Sequence, residues 1–212
     1  IKERGIITPV TLRQKPDGRY EIVSGHRRTK ACELAGLTTV KAEIKELSRD
    51  EAIILMVESN LQRTTILPSE KAFSYKMRLE AMNRQGQRTD LTCGPVGHKS
   101  DGTKSRDVIA ESTDESARQV SRYIRLTHLI PPLLDLVDAG KIAFRPAVEL
   151  SYLTEAEQND LLDSINSEQS TPSLAQASKM KEFSQNGRLN ADVILSIMCE
   201  QKPNQKEKIS FQ

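Results

Sequence analysis

Every stretch of this chain that reads as β-strand lies in its first 47 residues, which limits any sheet to a few short strands. IITPVTLRQ is rich in β-branched residues, KPDG at 15–18 is a turn signal, and RYEIV follows it. TTVKAEIKEL alternates with a period of two. Between the last two strands, HRRTKACELA from His26 to Ala35 reads as a helix stopped by Gly36. SRDEAIILMVESNLQ opens with Ser48 and Glu51 at capping-box spacing and keeps Ile53, Ile54, Val57 and Leu61 at helical intervals. LPSEKAFSYKMRLEAMNRQ is a further helix, with Pro68 stopping the previous element and Ser69 as its expected cap. Residues 1–85 are therefore expected to form a small α+β domain. The opening IKERG reads as the end of a trimmed element.

Residues 86–104, GQRTDLTCGPVGHKSDGTK, have the composition of a flexible loop. Beyond them only helical signals remain, so an all-helical domain is expected over 105–165, with a helical extension and polar tail over 166–212. PPLLDLVDAG, FRPAVELSYL and TEAEQNDLLDSIN each read as a helix, the last with Thr154 and Glu157 at capping-box spacing.

Residues 105–126 suit a helix-turn-helix. Ser105 would cap the first helix, which packs through Val108 and Ile109. The second, from about Glu115, places Ala117, Val120 and Ile124 on an inner stripe, with Tyr123 beside it. Ser116, Arg118, Gln119, Ser121, Arg122 and Arg125 occupy the other side. Arginine can grip guanine, glutamine can read adenine and serine can hold phosphate, so this face suits a major groove. A solvated polar face has the same composition, and pattern alone leaves both readings open.

Formal net charge is only +2, so a nucleic-acid reading rests on local clusters rather than bulk basicity. Cys32, Cys93 and Cys199 are far apart, as are His26, His98 and His128, and neither set has metal-ligand spacing. No apolar run approaches the roughly 20 residues that span a bilayer. No Ser/His/Asp or Cys/His set marks a catalytic centre.

SGHRRTKACELAG at 24–36 is the most informative stretch. A glycine after a strand and two arginines opening a helix place free N–H groups beside fork-shaped donors, a plausible anion site. Arginine opposes the helix dipole there, so a compensating anion is called for. The same arginines could pair with Glu58 or meet a DNA backbone. Glu58, Asn60 and Arg63 in ESNLQR could serve a phosphate–magnesium group, or simply end a helix.

Taken together, four stretches in order resemble the ParB/Spo0J family of chromosome and plasmid partition proteins. They are ITPVTLR at 7–13, SGHRRTKACELAGL at 24–37, ESNLQRTTILPSEKA at 58–72, and the helix-turn-helix and following helix at 105–142. The resemblance covers about residues 1–165. It implies a CTP-binding N-terminal domain, a domain recognising a short palindromic double-stranded DNA site, a homodimeric clamp, and a Walker-type partition ATPase as partner, all in a bacterial cytoplasm at the nucleoid. It implies that Arg13, Gly25, Arg27 and Arg28 surround the triphosphate, that Asn60 contacts Mg2+ and that Arg63 falls on the family's conserved Arg; His26 and Glu58 are candidates for the same site by position. His26 stands where the family usually has Glu, and Ser59 where nucleotide-hydrolysing members have Glu. CTP binding is thus implied and hydrolysis is not. Such departures suggest a plasmid or mobile-element member. The alternatives are a ParB-like DNA-binding regulator without a nucleotide switch, or a nuclease using Glu58, Asp50 or Glu70.

Overall fold

The structure, a computed structural model, describes residues 5–61, 66–92, 105–113 and 115–200, with side chains as far as residue 85 in the helix that ends at Thr92. It begins with β1 (Val10–Gln14), β2 (Tyr20–Ser24), α1 (His26–Leu34), β3 (Ala42–Lys45), α2 (Arg49–Leu61) and α3 (Pro68–Thr92). It continues with helices alone: α4 (Ser105–Glu111), α5 (Ala117–Leu126), α6 (Pro131–Asp138), α7 (Phe144–Leu150), α8 (Glu155–Glu168), α9 (Leu174–Gln185) and α10 (Ala191–Cys199). The expected α+β region followed by an all-helical one is what the structure shows. These elements form two compact units, one of residues 1–66 with 74–120, the other of 67–73 with 121–212.

In the first unit the three strands run in the order β2-β1-β3. KPDG makes the expected turn, with Gly18 N–H donating to the Lys15 carbonyl at 2.9 Å, and returns β2 antiparallel to β1. β3 is parallel to β1, with Val10 opposite Ala42 and Arg13 opposite Lys45. A parallel partner requires a crossover, and α1 supplies it. Gly36 ends α1 in the left-handed region at φ +79°, where Leu37 N–H reaches the Cys32 carbonyl and Gly36 N–H that of Glu33. Ile6, Val10 and Cys32 form a small buried core with Leu12, Leu37 and Val40 against it.

Both expected capping boxes form. Ser48 N–H donates to Glu51 at 2.7 Å and Glu51 N–H to Ser48 Oγ at 3.2 Å. Thr154 and Glu157 repeat the arrangement at α8. Ser69 does not cap α3. The helix starts one residue earlier with Pro68, whose missing N–H costs nothing there. Ser69 N–H and hydroxyl instead bind Asp138 in the second unit's own framework. Ser105 likewise lies in the first turn of α4 and donates to Asn83 at 3.2 Å.

The stretch expected to be a loop at 86–104 begins as helix, because α3 runs through Gly86 to Thr92. Extending an existing helix adds a bond per residue, and one glycine costs only about 1 kcal/mol relative to alanine. Residues 93–104 lie outside the described residues. α4 belongs to the first unit, so the division between units falls inside α5 rather than at this stretch. The physical reason is a polar tie. Buried Arg78 of α3 pairs with Glu58 of α2 at 2.8 Å and donates to Ser112, just after α4, at 2.7 Å. Arg84 of α3 pairs with the buried Asp50 of α2 at 2.9 Å.

In the second unit the core is aliphatic and continuous. Leu126, Leu133, Leu150, Leu161, Ala177, Met180 and Ile194 are fully enclosed. Gln158, also buried, accepts the Ile130 N–H at 2.8 Å and donates to the His128 and Leu153 carbonyls. It thereby satisfies backbone groups that hydrophobic packing would leave unpaired.

Two stability measurements follow. Thr154→Ala should lower unfolding free energy by about 1 kcal/mol in urea titration. The bonds from Ser48 hold the Glu51 carboxyl below the usual Glu range. A depressed folded-state value stabilises above the unfolded-state value and is lost as pH falls through the folded one. The stability gap between native protein and Glu51→Gln should therefore be full at neutral pH and close on acidification below the ordinary Glu range, followed by unfolding at a series of pH values.

Candidate nucleotide cleft and nucleic-acid helix

The first candidate site forms where β2 hands over to α1. Gly25 is the N-cap of α1, with φ +109° and no side-chain cap. A β-carbon placed there would stand 2.8 Å from Val10 Cγ1 and 3.3 Å from Arg28 Nη2. Only glycine fits both the backbone angle and the space. The first turn of α1 contains no acidic residue, so its amide groups and positive dipole end face outward uncompensated.

A cleft of about 210 Å³ opens there. Its lining joins Gly25, His26, Arg27 and Arg28 from α1 and its cap to Ser59 and Asn60 from α2, so two sequence motifs 30 residues apart meet in one place. His26 and Arg27 are exposed, and among the described residues neither has an ion-pair partner. Arg28 is committed differently. Its Nη1 donates to the Thr8 and Pro9 carbonyls, both at 2.6 Å, and so pins the segment ahead of β1 to α1. Ser24 and Ser59 share a hydrogen bond of 2.8 Å that joins β2 to α2 beneath the cleft.

Two residues expected in this site lie elsewhere. Glu58 is absent from the cleft lining and holds Arg78, because one residue along a helix rotates the side chain by about 100° from Ser59. Arg13 is buried beside its cross-strand neighbour Glu21, 3.8 Å away, and borders a separate groove at the ends of β1 and β3. Arg63 lies outside the described residues. Sequence reasoning missed Val23, Ser24, Met56 and Ser59 as lining. Met56 is four residues before Asn60, and that helical spacing was the available signal.

The residues present fit a polyphosphate: an uncapped helix start, an unpaired arginine and a glycine cradle. Among the described residues that line the cleft, none is a carboxylate. Among the described residues no group of three or more His, Cys, Asp or Glu could hold a metal by itself. Asn60 could therefore contact a cation only alongside the ligand's own phosphate oxygens.

The second candidate is α5. Val120 and Leu126 are fully buried on its inner side, with Tyr123 packed on Phe144 at a ring separation of 4.6 Å. Ser116 is the N-cap, its hydroxyl accepting the Gln119 N–H at 3.2 Å. Arg118 is exposed, while Gln119, Ser121 and Arg122 are half-buried. Arg118 and Arg122, four residues apart, share a face, and neither is ion-paired among the described residues. Arg125 is engaged by Ser151 and Tyr152.

Residues 1–61 match the ParB N-terminal domain. The chain is 33% identical to the chromosome-partitioning protein Spo0J of Thermus thermophilus over 142 residues, 67% of this chain and 45% of that protein. The chain belongs to the ParB/Spo0J family. It spans about half the length of the curated family members it matches. It is also similar to a C-terminally truncated ParB from Caulobacter crescentus solved with the centromeric parS site, at 22% identity and TM-score 0.48, covering 82% of each chain. A second structure of truncated Caulobacter crescentus ParB, with CTP-gamma-S, is 25% identical at TM-score 0.30, covering 78% of this chain and 81% of that one. No helix among the described residues is long and apolar enough to cross a membrane.

Gly25→Ala should abolish anion binding in the cleft and lower the melting temperature, because both the φ angle and the contact with Val10 oppose it. Calorimetric titration with a nucleoside triphosphate beside a thermal melt checks both effects.

Proposed function

We propose that this chain is a site-specific DNA-binding partition protein whose N-terminal cleft takes CTP with Mg2+. The observation that carries the nucleotide assignment is the uncapped start of α1 at Gly25, with Arg27 unpaired beside it and Asn60 across the cleft. Backbone N–H groups at the helix start would hold the phosphates. Arg27 would add charge-assisted bonds, and Arg28 would keep the segment before β1 in place. Asn60 would reach a phosphate-bound Mg2+. His26 lines the cleft beside these residues. The family's ligand supplies the choice of CTP over other triphosphates. With no carboxylate among the described residues that line the cleft, the reading is of nucleotide binding without hydrolysis.

Arg118, Gln119 and Arg122 would meet base edges or phosphates in a major groove, with Ser121 beside them and Ser116 holding the helix start. A palindromic site fits a homodimer, since two-fold symmetric DNA is read by two-fold symmetric protein. A sliding clamp and a Walker-type partition ATPase complete the family's arrangement, at the bacterial nucleoid.

A second reading, a DNA-binding regulator without a nucleotide switch, is favoured by Ser59, whose hydroxyl bonds Ser24 instead of presenting a carboxylate. Calorimetry with CTP, ATP and GTP in magnesium separates the two. Selective CTP binding in native protein, reduced at least tenfold in Arg27→Ala, is the expected result. Arg27 is the cleaner variant because Arg28 also holds backbone. Binding of no nucleotide by folded protein would establish the second reading. For DNA, a duplex enriched by the native chain from a random library should bind Arg122→Ala more weakly. Lost base readout costs about 1–3 kcal/mol and relaxes specificity.

A further inference from the structure

The C-terminal end of α5 meets a platform built from neutral groups. Arg125 lies on the same helix face as Arg122, three residues before it. Its Nε donates to Ser151 Oγ at 3.2 Å and its Nη2 to the Ser151 carbonyl at 2.9 Å. Its Cζ stands 4.0 Å from the centre of the Tyr152 ring. The platform is itself fixed. Ser151 is buried, and its hydroxyl donates to the Val148 carbonyl at 2.7 Å.

None of these partners carries a negative charge, and among the described residues no carboxylate pairs with Arg125. The guanidinium therefore keeps its full charge in a fixed plane, with donors left over. Lys181 provides the contrast. It stands over the same ring at 3.9 Å, but Glu149 neutralises it at 2.8 Å. One cation of the pair is spent and the other is available.

We propose that Tyr152 is a positioning residue. With Ser151 it orients Arg125 as a phosphate anchor at the end of the DNA helix, rather than as a reader of bases. This rests on the reading of α5 as that helix. Tyr152 is 41% exposed, so the stack is reachable by a duplex. A preorganised cation loses little rotamer freedom when phosphate arrives.

The test is fluorescence anisotropy of the full chain across a potassium chloride series, on the enriched duplex and on a scrambled one of equal length. Tyr152→Ala should weaken binding to both duplexes by the same factor. One counterion no longer released at ~0.15 M salt is worth about fivefold. The log–log salt slope should become shallower by about one. Tyr152→Phe, which keeps the ring, should bind like native protein. Lys181→Ala, whose charge is already paired, should leave the slope unchanged. Arg125→Gln should reproduce the Tyr152→Ala slope, and the double variant should be no weaker than Arg125→Gln alone, since both remove one contact. A Tyr152→Ala effect confined to the enriched duplex, an unchanged slope in folded protein, or additive losses in the double variant would overturn the proposal. If Tyr152→Ala does not fold, the slope of Arg125→Gln decides whether the anchor exists. If Arg122→Ala also has no effect on either duplex, it is the DNA reading of α5 that fails.

Discussion

The N-terminal unit is organised around one close approach: the backbone at Gly25 passing against Val10. Val10 begins the middle strand of the sheet and is buried in its small core. Gly25 ends the neighbouring strand and starts α1. Because no side chain intervenes, the helix start lies close enough for Arg28 to reach back to the carbonyls just before Val10. The close approach of the helix start to the sheet, and with it the open amide groups at the cleft, depends on a position that a methyl group would spoil. A residue with no side chain thus does more for the site than any charged group in it.

The arginines divide by what they touch, and this division separates architecture from function. Arg78 and Arg84 are consumed by Glu58 and Asp50 within the first unit. Arg28 is held by backbone carbonyls. Arg27, Arg118 and Arg122 are left with their charge facing outward, at the two places where an anionic ligand is expected. Formal net charge is only +2, so both sites rest on local positive charge rather than on bulk basicity. Such local fields attract phosphates even on a nearly neutral protein.

Local signals in the sequence were reliable guides. The KPDG turn, the Gly36 stop and the two capping boxes each depend on residues within a few positions of one another, and each forms. Gly25, His26, Arg27, Arg28 and Asn60 gather as their motifs suggested. What could not be read were long-range choices of partner. Glu58 sits beside Asn60 in sequence, yet helix rotation turns it to Arg78, whose need for a counter-charge arises from burial. Ser69 looked like a cap until Asp138 claimed it. Arg125 is indistinguishable from Arg122 in a helical pattern, and only the fold brings Ser151 and Tyr152 to it.

The Glu58–Arg78–Ser112 tie also dictates an order of assembly. β1 must find β3 across an intervening strand and helix, a non-local pairing of the kind that slows folding. Even with the sheet formed, Glu58 has no counter-charge until α3 emerges, and Arg78 gains its second bond only when Ser112 follows. During synthesis the first unit therefore stays open until more than half of this chain has been made. The helices after it close by pairing α7 with α9 and α8 with α10, as Lys181 does with Glu149. The second unit, whose core includes Ile194 and Met198 of α10, closes later still.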